Sequence, residues 1–248
     1  MADKKTPEIV FIIPYRDRKN HLIFFQKYIQ YLLEDYPQDS YKIFYVHQMD
    51  KRSFNRGAMK NIGFLAVKEK YPEDYENITF VFNDVDTLPF EKNILPYKTS
   101  TGTIKHFYGF QYALGGIFSI TGKDFETLGG FPNLWGWGYE DNEIQKRANQ
   151  FDIFIDRSVF FPILDDNIIH LQHGSSRMVS AVEKQRYVSK HTDGLQHIHT
   201  LLYTFNENMI EVKHFSTAYK VPENIISHDL QKSNEPFKHI NSKMKMLI

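Results

Sequence analysis

The sequence contains no cysteine. Disulfides, thiolate-held zinc and a cysteine nucleophile are all excluded. It carries no net charge either: 30 basic residues balance 30 acidic ones, so no global field draws the chain to nucleic acid or to an anionic membrane. Long apolar runs are missing. The first, "IVFIIP", is too short for a signal h-region or a membrane span, and the opening "MADKKTPE" is polar and charged. The chain as written is expected to be soluble and cytoplasmic, with no membrane span and no nucleic-acid partner. Internal repeats, low-complexity tracts and a clean linker are also lacking. What is abundant is aromatic residues, at 15%; most must be core, and some are free to line a site.

A length of 248 residues suits one α/β domain. "EIVFIIPYR" reads as a buried strand stopped by Pro14, and "KNHLIFFQKYIQYLLEDY" as a helix ending before Pro37. "YKIFYVHQ", "RGAMKNIGFLAVKEKY" and "NITFVFN" continue as strand, helix and strand. This β-α-β-α-β order predicts a parallel sheet covered by helices, with ligands at the carboxyl ends of the strands. All three strands run into polar residues there: "YRDR", "HQMD" and "NDVD". Farther on, "LGGIFSITG", "FDIFIDRSVFFPIL" and "NIIHLQH" read as strands, and "GKDFETLGGF" and "GYEDNEIQKRANQ" as helices. Residues 1–205 are expected to form the domain, with a nucleotide-binding part at about 8–90 and an acceptor and catalytic part at about 105–205. Residues 206–248 are expected as a C-terminal extension with a basic tail, "KHINSKMKMLI".

The acidic pair Asp84 and Asp86 shares one side of an extended backbone. Two carboxylates on one side repel unless a cation lies near them, and oxygen donors favour hard divalent ions. Against this stands an ordinary Asx-turn. In "LGGFPNLWGWGYEDNEIQ" glycines alternate with both tryptophans. Their torsional freedom would let a flat ring swing over a sugar, and a carboxylate at Glu140 or Asp141 under such a lid would suit a general base. Arg16 and Arg18 after the first strand, with Arg56 at the second helix, are candidates for a phosphate or nucleotide; Asn55 or Ser53 is a candidate helix cap. His170 and His173 can supply neutral imidazole to a metal site begun by Asp86.

Taken in order, "FIIPYRDRKNHL", "FNRGAMKNIGF", "FVFNDVDTLP", "GGFPNLWGWGYEDNE" and "TDGLQHIHTLLYTF" resemble the motifs of the β-1,4-galactosyltransferase family. The resemblance runs from about Ile9 to Phe205. It implies a single-domain α/β GT-A (Rossmann-like) fold, a UDP-sugar donor, Mn2+ (or Mg2+ in its place) and inversion at the anomeric carbon. By position, Pro14, Arg16, Arg18, Phe54 and Arg56 would hold the uridine diphosphate, and Asp84 with Val85 would meet the nucleotide sugar. Asp86 would bind the metal with His170, His173 or both. Trp137 would cover donor and acceptor. Glu140 and Asp141 would hold the acceptor, with Asp141 as base.

Three departures bear on specificity. Asn142 replaces the last acid of the family's W-G-W-G-x-E-D-D run, a feature shared with bacterial chondroitin-type N-acetylgalactosaminyltransferases. Ala113 falls where galactose-specific members carry Tyr, with Tyr112 one residue away, so a donor N-acetyl group would find room. Cysteines and an anchor, usual in animal members, are absent from the sequence. The expected activity is transfer of galactose, or a related hexose, from UDP-galactose to a carbohydrate hydroxyl. The alternatives are N-acetylgalactosamine transfer from UDP-N-acetylgalactosamine, hydrolysis of the nucleotide sugar, and a non-catalytic sugar-binding module.

Overall fold

The computed structural model describes residues 5–232; the basic tail lies outside the described residues. The elements in chain order are β1 (Ile9–Tyr15), α1 (Lys19–Leu32), β2 (Tyr41–Gln48), α2 (Arg56–Lys70), β3 (Thr79–Asn83), β4 (Thr87–Pro89), β5 (Thr103–Gly109) and β6 (Ile117–Thr121). Then follow α3 (Gly122–Thr127), α4 (Glu140–Gln150), β7 (Phe154–Asp156), β8 (Phe161–Pro162), β9 (Ile168–His170) and β10 (Ser176–Ser180). The last are α5 (Ala181–Val188), β11 (His199–Asn206), β12 (Met209–Ser216) and β13 (Ile225–Asp229).

Every residue of β1 and of β3 is buried, because helices and loops cover both faces of the sheet. The main sheet runs β11-β12-β2-β1-β3-β6-β5-β7, with β8 also on β5. Strands β12, β2, β1 and β3 are mutually parallel, and β6 turns antiparallel against β3. The chain moves from β1 to β2 on one side and returns to β3 on the other, so the strand order reverses at β1. Pairing of β1 with β3 ends at Ile12 and Phe82, whereas pairing with β2 continues to Tyr15 and His47. Beyond Ile12 the strands part and leave a crevice at the carboxyl edge, where α/β sheets take their ligands.

Two expectations are corrected. "FDIFIDRSVFFPIL" is not one strand but β7 and β8, separated by a turn in which the Ser158 N–H donates to Asp156 Oδ1 (2.8 Å). The expected extension from residue 206 begins inside a hairpin: β11 and β12 pair antiparallel, and β12 adds to the sheet beside β2 through Met209–Tyr45 and Val212–Gln48. Ile210, Val212 and Phe215 are fully buried, so this segment is core. Strand β13 pairs with β10. No described helix is long and apolar enough to cross a membrane.

Candidate active site

The crevice opens into a cavity of about 390 Å3. Pro14, Arg16 and Arg18 reach it from the end of β1, Phe54 and Arg56 from the start of α2, and Asp84, Val85 and Asp86 from the end of β3. His173 closes one side. These are nine of the residues singled out from the sequence. Lys51, Arg52 and Met178 line it as well.

The walls are locally determined. Asp17 adopts a left-handed backbone (φ 51°) between Arg16 and Arg18, a conformation a short polar side chain tolerates. Asn55 caps α2 by accepting from Ala58 N–H at 2.8 Å; Ser53 is not the cap. Arg16 Nη1 donates to the Arg52 carbonyl, and the Arg52 guanidinium lies 4.7 Å above Trp135 and 4.3 Å above Phe215. Burial pushes the Arg18 and Arg177 guanidinium pKa values down; the Arg56 charge lowers both further, and the Asp86 carboxylate raises both. Guanidinium charge is thus concentrated where a diphosphate would neutralise it.

At the other side of the crevice, His21, Asp86 and His173 each offer a ligand atom, all within 4.8 Å of one another. His173 Nδ1 lies 3.5 Å from Asp86 Oδ2. His21 Nδ1 is buried without a hydrogen-bond partner, and its ring meets His173 edge-on at 5.5 Å. Burial, then the positive charges of Arg18 and Arg177, press His173 down to about 3, so its imidazole is neutral at pH 7 and free to offer a lone pair to a metal. Burial and the neighbouring Asp84 charge raise Asp86, a conflict that a cation would relieve. One carboxylate and imidazole nitrogens around an orphaned ring atom fit a divalent ion of the Mn2+ type. His170 lies outside this trio: its Nδ1 is 3.0 Å from Tyr108 Oη. It remains beside the site because β9 pairs with β4 and Leu171 N–H donates to the Asp86 carbonyl at 2.8 Å.

Glu140 and Asp141, the acids expected from the sequence to hold the acceptor, begin α4. Glu140 is pinned by Arg56 Nη1 (2.9 Å) and by the Gly138 N–H (3.2 Å). Asp141 Oδ1 accepts from Lys60 Nζ at 3.1 Å. Lys60 Nζ and Arg56 Nε each lie 3.9 Å from Asp84 Oδ1, so two cations of α2 bridge Asp84 at the end of β3 and the carboxylates of Glu140 and Asp141. Asp84 Oδ1 is itself buried without a hydrogen bond. Burial pushes Asp141 up to about 7; Lys60 pulls it down, Glu140 and Asp84 push it up, and Arg56 pulls it down. A group so poised can exchange a proton at neutral pH.

The tryptophans divide. Trp135 is core, stacked on Phe215 at 5.5 Å. Trp137 is half-buried against Leu134, Tyr139 and Val179, and its N–H donates to the Met178 carbonyl at 2.7 Å; it does not line the cavity. The positive φ needed at this bend belongs to Gly136 (93°), Gly138 (111°) and Tyr139 (73°). Asn142 Nδ2 donates to the Tyr112 carbonyl at 3.4 Å, a bond that the family's carboxylate cannot make. Ala113 is buried and Tyr112 is 49% exposed.

The sequence reading missed His21, Lys60 and Arg177. His21 looks like any residue in the first turn of α1. Lys60 had a visible signal, since it lies in helical register with the glycines and Phe64 of α2 on a buried stripe.

The fold is of the GT-A class, the fold of glycosyltransferase catalytic domains. The structure superposes on the catalytic domain of Drosophila β-1,4-galactosyltransferase 7 in complex with xylobiose, with a TM-score of 0.65 over 84% of this chain and 94% of that one, at 22% identity. A mutant of the same enzyme with manganese, UDP-Gal and xylobiose gives 0.62 at 20% identity, with the same coverage of both chains. Residues 3–98 match the N-terminal region of glycosyl transferase group 7, and residues 98–173 match the N-terminal domain of galactosyltransferase. The β-1,4-galactosyltransferase 1 of Homo sapiens is 32% identical over 149 residues, which cover 56% of this chain and 36% of that protein. The β-1,4-galactosyltransferase 4 of Mus musculus is 31% identical over 169 residues, covering 62% and 46%. The chain belongs to the β-1,4-galactosyltransferase family, and these alignments span less than half the length of either relative.

Proposed function

We propose that this chain transfers galactose from UDP-galactose to a carbohydrate hydroxyl, with Mn2+ and with inversion. One observation carries the reading: the His21, Asp86 and His173 trio and the guanidinium-lined cavity connect through Asp84, Arg56 and Lys60 to a second carboxylate, Asp141, whose pKa is raised to about 7. The family membership and the related enzyme's complex with manganese and UDP-Gal support it.

In this mechanism Arg16, Arg18 and Arg56 bind the diphosphate, and Asp86 with His173 and His21 would hold the ion. The ion, when bound, neutralises charge that builds on the leaving diphosphate. Asp84, which lines the cavity, accepts from a hydroxyl of the donor sugar. Glu140, held by Arg56, accepts from the acceptor. Asp141 takes the proton of the attacking acceptor hydroxyl; the hydroxyl oxygen bonds to the anomeric carbon as the bond to the diphosphate breaks, and UDP leaves with the electron pair. Attack opposite the leaving group converts the α-linked donor to a β-glycoside, with no covalent enzyme intermediate. Positioning and the base together account for the acceleration.

The test is UDP release from a panel of UDP-sugars with Mn2+, with and without acceptor sugars, for wild type and Asp86→Ala. Acceptor-stimulated release from UDP-galactose, lost in the variant, is expected. Release from UDP-N-acetylgalactosamine alone would shift the donor to the sugar for which the small Ala113 side chain leaves room. Release indifferent to every acceptor would make the chain a hydrolase.

A further inference from the structure

Lys60 is out of place for a lysine. It sits in the second turn of α2 among Met59, Asn61 and Ile62, all buried, and is itself 1% exposed. Its Nζ lies 4.5 Å over the Phe131 ring, 3.1 Å from Asp141 Oδ1 and 3.9 Å from Asp84 Oδ1. Burying an ammonium is costly, and replacing a buried ion pair by apolar residues is often neutral or stabilising. Fold stability therefore does not account for a charge at this point. Its position does. Of the two cations between the donor-side and acceptor-side carboxylates, Arg56 is committed to Glu140, and Lys60 is the one that hydrogen-bonds Asp141.

Asp141 is gripped from both ends. Lys60 holds Oδ1, and Oδ2 packs so closely on Gly115 that a Cβ there would lie 2.6 Å away. We propose that Lys60 is the positioning residue for Asp141, fixing the carboxylate's orientation and keeping it charged so that it can accept the acceptor's proton. This rests on the reading of Asp141 as the base. The groups facing Asp141 are Lys60 and Arg56 from α2, Asp84 from the end of β3 and Glu140 on its own helix. The carboxylates and burial favour its protonated form; Lys60 is the stronger of the two cations opposing them. Loss of the ammonium would leave Asp141 protonated at neutral pH, unable to act as base.

The experiment is the pH profile of kcat and of kcat/KM with saturating Mn2+ for wild type, Lys60→Met, Lys60→Arg and Asp141→Asn. A base works only above its pKa, and removing a neighbouring cation raises that pKa. The acid limb of Lys60→Met should move to higher pH by about 1–3 units, as expected for losing an opposite charge within hydrogen-bonding range. The donor KM should stay near that of wild type, and Lys60→Arg should keep the limb in place. Lys60→Gln, which retains a donor and loses only the charge, reads the same limb if Lys60→Met does not fold. An unmoved acid limb in the neutral variants, with Asp141→Asn inactive, would overturn the role of Lys60 while leaving the base intact. An active Asp141→Asn would instead remove the base reading on which the proposal rests.

Discussion

Asp141 and Asp86 are both half-buried carboxylates pushed up first by desolvation, yet their surroundings suit them to different tasks. Asp86 faces the imidazoles of His21 and His173, and Asp141 faces an ammonium. Asp141→Asn is expected to lower kcat about 10²–10⁴-fold, the range for losing a general base, with Mn2+ affinity unchanged by calorimetry. Activity should fall as pH drops through about 7, where Asp141 takes up a proton. His21→Ala should weaken Mn2+ binding measured without any donor, because an imidazole within 4.8 Å of Asp86 and His173 is removed; unaltered affinity would exclude His21 from the metal site. Asp84, Asp86, Glu140 and Asp141 were legible from the sequence, since carboxylates at a strand end and after a glycine-rich turn are visible as pattern. His21 was not, because its partners are brought to it from 65 residues or more along the chain by tertiary folding.

The elements are joined by asparagines. Asn61 on α2 donates to the Phe131 carbonyl (2.8 Å) and to Asn133 Oδ1 (2.9 Å), and accepts from the Phe131 N–H (2.9 Å). Asn55 Nδ2 donates to the Asn133 carbonyl at 3.0 Å. Gly57 allows the approach, since a Cβ there would lie 2.0 Å from the Pro132 carbonyl oxygen. The helix that supplies Arg56 and Lys60 is thus clamped to the loop that leads into Glu140 and Asp141 at the start of α4. Asn61→Ala strands buried backbone groups at roughly 1–3 kcal/mol each, so its urea midpoint should drop with the slope preserved. A midpoint equal to wild type would show that the clamp contributes nothing. The helices themselves were legible from periodicity and from Pro37 and Pro72. The clamp was hidden because an asparagine's partners lie 70 or more residues away.

Across the whole molecule, one sheet carries the donor crevice at the parting of β1 and β3, and its far side is completed by a strand from near the end of the described chain. The parallel centre was legible as contiguous apolar runs, which strands buried on both faces require. The β12 strand was not, because "MIEVKHFS" mixes charge with its buried Ile210, Val212 and Phe215. Truncation after residue 205 should expose β2 and give an unstable, aggregating protein, read by thermal melting and light scattering; a truncated chain melting like the full one would refute the place of β12 in the core.

The central claim is that one site joins metal-assisted departure of UDP to base-assisted attack by a sugar hydroxyl. The most direct measurement is NMR of the product formed from anomerically 13C-labelled UDP-galactose, Mn2+ and a carbohydrate acceptor. A β-linked galactoside that appears with UDP and fails to form with Asp141→Asn is predicted. An α-linked product, or free galactose alone whatever the acceptor, would contradict the account.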